Sequence, residues 1–231
     1  MAIRFAHRQQ AGEFLASKLT AYAHHTNVLV LALPRGGVPV GFALASILHV
    51  PLDIFLVRKL GVPGQEELAM GAIASGGVQV LNTEVINILQ IPREEIDLVA
   101  VREREEIERR EHLYRDSRPP LSIRGRTVIL VDDGLATGAT MRAAIIAVRY
   151  HQPRHLVVAV PTAASETCAE IQAEADEVVC ASTPEPFHAV GMWYADFTQV
   201  TDEEVREFLS QAALLHYPTT SSRDETFRVA Q

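Results

Sequence analysis

The sequence predicts an α/β fold, a doubly wound parallel sheet with helices on both faces, and three observations carry that expectation. Residues 27–33 and 127–131 are gapless apolar runs rich in β-branched side chains, the pattern of strands covered on both faces of a parallel sheet, and residues 154–160 read as a further strand. Stretches of helical pattern lie between such runs, and β-α-β alternation with right-handed crossovers gives a sheet flanked by helices on both sides. Two of the runs end in unusual loops, Pro34-Arg35-Gly36-Gly37 and Asp132-Asp133-Gly134. In a parallel sheet such loops share the carboxyl edge and can close on one ligand.

Taken in order, residues 7–25 place Ala11, Phe14, Leu15, Leu19 and Tyr22 on one helical face, which packs on the sheet. His24 and His25 close that helix and offset its negative end; a metal site there lacks partner ligands at useful spacing. After the strand at 27–33 and its Arg-Gly-Gly loop, a helix is expected over 38–49 with Pro39 in its first turn. Residues 52–57 form a third strand. The glycines and Pro63 that follow, through Ile73, predict a mobile loop returning as a hairpin.

Helices are expected over 83–90 and 92–115. Every residue from 102 to 111 except Ile107 is charged, with opposite pairs such as Arg102 with Glu106 and Glu105 with Arg109, which reads as a solvated face. A narrow stripe of Ile96, Val99, Ala100, Ile107 and Tyr114 docks that helix on the core or on a second subunit. Beyond the central strand come a helix to Tyr150, a strand at 154–160, a helix at 163–173 and a last core strand at 177–181. Residues 183–200 crowd Phe187, Trp193, Tyr194 and Phe197 among Pro184, Pro186 and Gly191; these rings either stack on a flat ligand or form a small satellite core. Thr201 with Glu204 makes a capping box for a final helix, and the polar tail after 216 is expected to be disordered.

With 231 residues the chain suits one well-covered core: a single domain with its core at about 27–182, a small C-terminal segment at 183–215, and a tail at 216–231. The net charge of −8 and the lack of a basic stripe argue against a nucleic-acid surface, while leaving small anionic ligands open. Cys168 and Cys180 are the only cysteines, without a C-x-x-C pair or a secretory leader, so the expected setting is a reducing cytoplasm with neither thiol catalytic. No apolar run approaches the roughly 18 to 20 residues that cross a membrane.

The chemistry concentrates at residues 126–142, R-T-V-I-L-V-D-D-G-L-A-T-G-A-T-M-R. A strand, a tight loop and a helix start present unpaired backbone N–H groups and the positive end of a helix dipole, which suits a phosphate, with hydroxyls of Thr137 and Thr140 as further donors. Two adjacent carboxylates would repel that phosphate if aimed at it, so Asp132 and Asp133 fit vicinal ribose hydroxyls; the alternative is that they cap the loop and helix. A sugar phosphate with a free diol satisfies both halves of the stretch.

V-D-D-G-x-A-T-G-A-T resembles the 5-phosphoribosyl 1-pyrophosphate (PRPP) loop of the type I phosphoribosyltransferases. The resemblance implies that family's parallel-sheet core, a flexible loop or hairpin and a small C-terminal hood. It implies ribose contacts and a catalytic part for Asp132 and Asp133, and a 5-phosphate cradle of Gly134, Ala136, Thr137, Gly138, Ala139 and Thr140. Arg35, Gly36 and Gly37 match the family's pyrophosphate loop, with Arg35 counted among the catalytic residues. Arg58 and Lys59 open R-K-L-G-V-P-G-Q-x-E-L-A-M-G-A-I, which is similar to a branch whose acceptor is not settled, and they are further pyrophosphate candidates. Ala136 stands where the hypoxanthine and guanine enzymes usually carry Asp, which sets the chain nearer the adenine and orotate branches. Residues 183–200 correspond to the acceptor hood, with Trp193 and Phe197 as candidate contacts.

The reaction so implied is displacement of pyrophosphate from C1 of PRPP by a nitrogen acceptor, a nucleobase by expectation. Mg2+ is the implied cofactor, with no direct protein ligand required: it is held mainly by PRPP and water, Asp132 and Asp133 being the candidate protein contacts, and a homodimer is implied as well. Two other readings use the same loops: a PRPP-binding sensor or regulatory protein, and a hydrolase of a phosphorylated ribose.

Overall fold

Eight strands and seven helices alternate along the computed structural model, which describes residues 3–116 and 118–216. In chain order they are α1 (Arg8–Ala16), β1 (Val28–Ala32), α2 (Gly37–Leu48), β2 (Leu52–Ile54), β3 (Val57–Val62), β4 (Gln65–Ala74), β5 (Gln79–Leu81), α3 (Thr83–Leu89) and α4 (Arg93–Arg115). There follow β6 (Thr127–Val131), α5 (Ala139–Tyr150), β7 (His155–Val160), α6 (Ser165–Ile171), β8 (Glu177–Cys180) and α7 (Asp202–His216). Five strands pair in parallel in the order β2-β1-β6-β7-β8, the expected doubly wound sheet.

The gapless runs are gapless because both faces are covered: all five residues of β1 and all five of β6 are buried. Val28, Val30 and Ala32 join Ile129 and Val131 beneath α2, α4 and α7, while Leu29, Leu31, Val128 and Leu130 pack against α5 and α6. Each fully buried aliphatic side chain there contributes about 1.5–3 kcal/mol. The register Ala32↔Val131 brings the two strands to their carboxyl ends side by side, and with them the two loops.

Several local expectations change. The helix expected over 7–25 stops at Ala16, because the Ser17 hydroxyl donates to the Phe14 carbonyl (2.6 Å) and the chain tightens into a 3-10 turn at Thr20–Tyr22. His24, with φ 61°, stacks on His49 at 4.7 Å. The run at 52–57 is two strands: β2 ends at Ile54, and β3 leaves for a separate antiparallel sheet in the order β3-β4-β5. The returning hairpin is therefore antiparallel backbone pairing, with register shifts on either side of Gly61, turned at Gly64 (φ 76°).

The charged face of α4 is not wholly solvated. Glu103 is buried and accepts from Arg58 of β3, while Glu106 accepts from Arg109 (2.7 Å) and Arg110 (2.6 Å) instead of pairing with Arg102. Those two guanidiniums, led by the Arg109 hydrogen bond, hold the Glu106 carboxyl down at about 2. The stripe on α4 does dock on the core, with Ile96, Ala100, Ile107 and Tyr114 buried.

Cys168 and Cys180 form a disulfide joining α6 to β8, with Cα atoms 6.5 Å apart. The expectation of two free thiols is corrected: sequence spacing could not show that the α6–β8 turn brings them together, and the cysteine argument for a reducing compartment falls with it. No helix among the described residues is long and apolar enough to cross a membrane. The capping box forms in both directions, Thr201 N–H to Glu204 (2.8 Å) and Glu204 N–H to the Thr201 hydroxyl (3.1 Å). Of the tail, His216 closes α7 and 217–231 lie outside the described residues.

Candidate active site

The loop between β6 and α5 leaves the sheet with its first half buried and its second half open. Leu135 is buried and pinned to the end of β7, its N–H donating to the Thr162 carbonyl (3.0 Å) and its carbonyl accepting from Ala164 (3.0 Å). Ala136, Thr137, Ala139 and Thr140 are exposed. Across the helix start, the Arg142 N–H bonds the Gly138 carbonyl (2.9 Å), so the N–H groups ahead of it have no intrahelical acceptor. They sit at the positive end of the α5 dipole, an arrangement that receives a phosphate.

Gly138 caps α5 with φ 71°, a conformation few L-residues adopt, and a Cβ there would lie 2.7 Å from Thr167 Cγ2 of α6. The Thr167 hydroxyl also donates to the Ala136 carbonyl (2.7 Å). Thus α6, fastened by the disulfide, supports the loop from beneath.

Asp132 and Asp133 stand where the two loops meet. Asp132 Oδ1 accepts the Asp133 N–H (2.8 Å). A Cβ on Gly36 would fall onto the Asp133 carboxylate, and one on Gly37 would lie 2.8 Å from the Val131 carbonyl oxygen and 3.0 Å from Asp132 Cα. The Arg-Gly-Gly loop carries glycines, then, because the Asp133 carboxylate fills the space at Gly36 and the backbone of Val131 and Asp132 fills it at Gly37. The Pro34–Arg35 peptide bond is cis.

Burial raises the pKa of Asp132 well above the ordinary carboxylate value, and the neighbouring Asp133 adds to the rise. Burial raises Asp133 as well, against the opposing pull of Arg8. A hydroxyl donor or a cation arriving at the pair draws both groups back towards the ionised form.

The structure does not bring every candidate to this junction. The Arg35 guanidinium turns away from the carboxylates to Asp202 at the start of α7 (3.7 Å), which also accepts from the Tyr114 hydroxyl (2.6 Å). Arg58 is engaged by Glu103, and Lys59 by the Glu67 carbonyl (3.1 Å) and carboxylate (3.3 Å). Trp193 stacks on Phe187 with centroids 6.4 Å apart. Phe197 packs against Tyr194 (5.2 Å) and against Arg8, and it remains 37% exposed.

The N-terminal segment belongs to the site, and the sequence reading passed over it. Phe5 bridges to Tyr194, with Phe5 N–H to the Trp193 carbonyl (2.9 Å) and Ala195 N–H to the Phe5 carbonyl (2.8 Å). Phe5, Ala11 and Tyr194 make the satellite core. Arg8 donates from Nε to Asp133 Oδ2 (2.8 Å), and the Tyr194 hydroxyl donates to the Asp133 carbonyl (2.6 Å). The only local signal was an arginine at the head of an amphipathic helix, and nothing in that pattern names a partner 125 residues away.

Two cavities lie elsewhere. One of about 910 Å³ is lined by Phe55, Ser75, Arg115, Arg124 and His151 among others, and one of about 720 Å³ by Leu52, Arg118, Leu209 and Leu214 among others. Both flank the buried Arg115–Asp53 pair (2.9 Å) beside edge strand β2, and neither is lined by the two loops. The loops carry the chemistry because carboxylates, open helix-start donors and glycine contacts converge there.

A family model described as Phosphoribosyl transferase domain matches residues 64–194. The "Putative phosphoribosyl transferase Rv0571c" of Mycobacterium tuberculosis is 45% identical over 208 residues, 90% of this chain and 47% of that protein, so the chain spans about half the length of this curated relative. The "Bifunctional protein PyrR" of Brevibacillus brevis is 34% identical over 124 residues, 51% of this chain and 65% of that one. Among solved structures, TT1426 from Thermus thermophilus is 42% identical with a TM-score of 0.80, over 90% of this chain and 99% of that chain. A family match across more than half the sequence, on a parallel sheet whose two loops meet over a pair of carboxylates, shows that the chain belongs to the phosphoribosyl transferase domain family.

Proposed function

We propose that this chain, read as one domain, transfers the 5-phosphoribosyl group of PRPP to a nitrogen acceptor, a nucleobase by preference, with release of pyrophosphate. The observation that carries the reading is the meeting of the two loops: Gly36 and Gly37 lie directly against Asp133 and Asp132, beside the open start of α5. A phosphoribosyl group laid along that edge puts its 5-phosphate on the N–H groups of residues 136–140, its diol at the carboxylates and its pyrophosphate towards residues 35–37.

The chain's own contribution is positioning and charge stabilisation. Backbone donors hold the 5-phosphate, and the ionised Asp132 and Asp133 orient the ribose hydroxyls. Negative charge near the sugar also favours the cationic character that builds at C1 as pyrophosphate departs. Mg2+ fits the same place: it keeps several waters and asks for one or two carboxylates when a substrate supplies phosphate oxygens, and Asp132 and Asp133 offer such carboxylates at the loop junction. Asp132 would be its main protein ligand, since Asp133 already accepts from Arg8, and the bound ion would neutralise the leaving pyrophosphate.

A second reading, PRPP binding without transfer, is favoured by one observation: the hood aromatics are engaged with each other and with Arg8, Trp193 stacking on Phe187 and Phe197 packing on Tyr194 and Arg8. Phosphorus NMR of PRPP and Mg2+ with the protein separates the two. Pyrophosphate that grows only after nucleobases and other nitrogen acceptors are added supports transfer, and dividing that pool names the acceptor. Growth without acceptors indicates hydrolysis, broadened PRPP signals without turnover support the sensor, and unaltered signals at high protein concentration overturn both PRPP readings.

A further inference from the structure

We propose that Arg8 is a positioning residue that holds Asp133 for the ribose hydroxyls and ties that carboxylate to the hood, a role that rests on the phosphoribosyl reading above. Three contacts converge on one guanidinium. Its Nε donates to Asp133 Oδ2 (2.8 Å), its NH1 donates to the Thr198 carbonyl (2.8 Å), and its Cζ lies 3.9 Å from the centroid of Phe197. The Arg8 side chain is 10% exposed and that of Asp133 is 15% exposed, so the pair is largely shielded from solvent.

The geometry leaves little freedom to Asp133. Gly36 closes one side of the carboxylate, Arg8 holds Oδ2, and Tyr194 clamps the residue's own carbonyl (2.6 Å). Oδ1 is the oxygen not engaged by Arg8, and it is the one available to a ribose hydroxyl. Without Arg8 the carboxylate loses its cation and one half of its orientation, while Asp132 still repels it. An arginine suits this place better than a lysine, because one planar fork serves two acceptors and an aromatic face together.

The same contacts give Arg8 a reach that a simple salt bridge lacks. Thr198 and Phe197 belong to the hood and Asp133 to the ribose edge, so the position of one is transmitted to the other through a single side chain. The N-terminal helix, outside the segment matched by the family model, thereby becomes part of the site.

The test is titration calorimetry of the full chain with inorganic phosphate and with ribose 5-phosphate, on wild type, Arg8→Lys and Arg8→Gln. Phosphate alone reads the α5 corner; ribose 5-phosphate adds the diol. Loss of one charge-assisted contact should weaken ribose 5-phosphate binding by about tenfold in Arg8→Gln, with Arg8→Lys between it and wild type and phosphate affinity equal in all three.

Equal ribose 5-phosphate affinity in all three proteins overturns the proposal. So does a parallel fall in phosphate affinity, which would mark Arg8 as a general prop of the fold. Wild-type protein that binds phosphate but gains nothing from the ribose removes the phosphoribosyl reading itself, and the role of Arg8 with it.

Discussion

The corner after β1 and the corner after β6 are built from adjacent parallel strands in register, yet they are finished in opposite ways. After β1 the chain turns at once into a buried helix start, with Gly37 and Val38 both buried; Gly36 faces the Asp133 carboxylate and Gly37 the backbone of Val131 and Asp132. After β6 the loop carries the two carboxylates, then opens to solvent at Ala136, Thr137, Ala139 and Thr140 and rests on α6 through Thr167. The first corner yields space and the second presents charge and donors. A ligand site at this edge is a property of the pair.

The largest expected effect comes from removing the charge. Asp132→Asn with Asp133→Asn should reduce PRPP binding below detection by calorimetry while the fold persists, because desolvation already biases both groups towards neutrality. The sign of the stability change follows from that bias. A carboxyl whose pKa is raised in the folded state binds more protons folded than unfolded, so wild type loses stability as pH rises from the unfolded value, about 3.9, up through the raised folded values. Subtracting the variant's urea-unfolding free energy from the wild type's at each pH should show that decline; a flat difference would count against carboxyls biased towards neutrality in the folded state.

Next come the glycines, which sharpen the contrast. Gly37→Ala meets backbone atoms that cannot turn aside, so it should destabilise by about 1–3 kcal/mol in urea unfolding. Gly36→Ala meets the end of the Asp133 side chain, which can rotate. Its cost should appear in ribose 5-phosphate affinity more than in stability. Equal stability losses for the two variants would break the distinction.

The second corner depends on its support. Reducing the Cys168–Cys180 disulfide, or replacing both with Ser, should lower stability by about 2–4 kcal/mol and weaken phosphate binding, since α6 carries Thr167. Thr167→Val, which leaves the Ala136 carbonyl without its hydroxyl donor, should cost about 1 kcal/mol. Phosphate affinity unchanged in both variants would show that the loop keeps its shape without α6.

How much of this was legible in the sequence differs by region for a physical reason. The two corners are local objects. An apolar run of strand length, small residues at a turn, and hydroxylated residues before a helical pattern specify backbone donors and their direction within about a dozen residues. β1, β6, α2 and the capping box at Thr201 fall within a residue or two of expectation on that account.

By itself, then, the sequence determined the parallel α/β sheet and the two loops at its carboxyl edge, since these rest on periodicity and on backbone groups close in the chain. Only the tertiary structure decided where the side chains go. It engages Arg58 with Glu103, turns Arg35 to Asp202, joins Cys168 to Cys180, folds the hood aromatics onto Phe5 and Arg8, and brings Arg8 to Asp133. An ion pair or a ring contact is set by which elements the crossovers bring together. That information is carried by the packed chain as a whole, and no window of residues around either partner contains it.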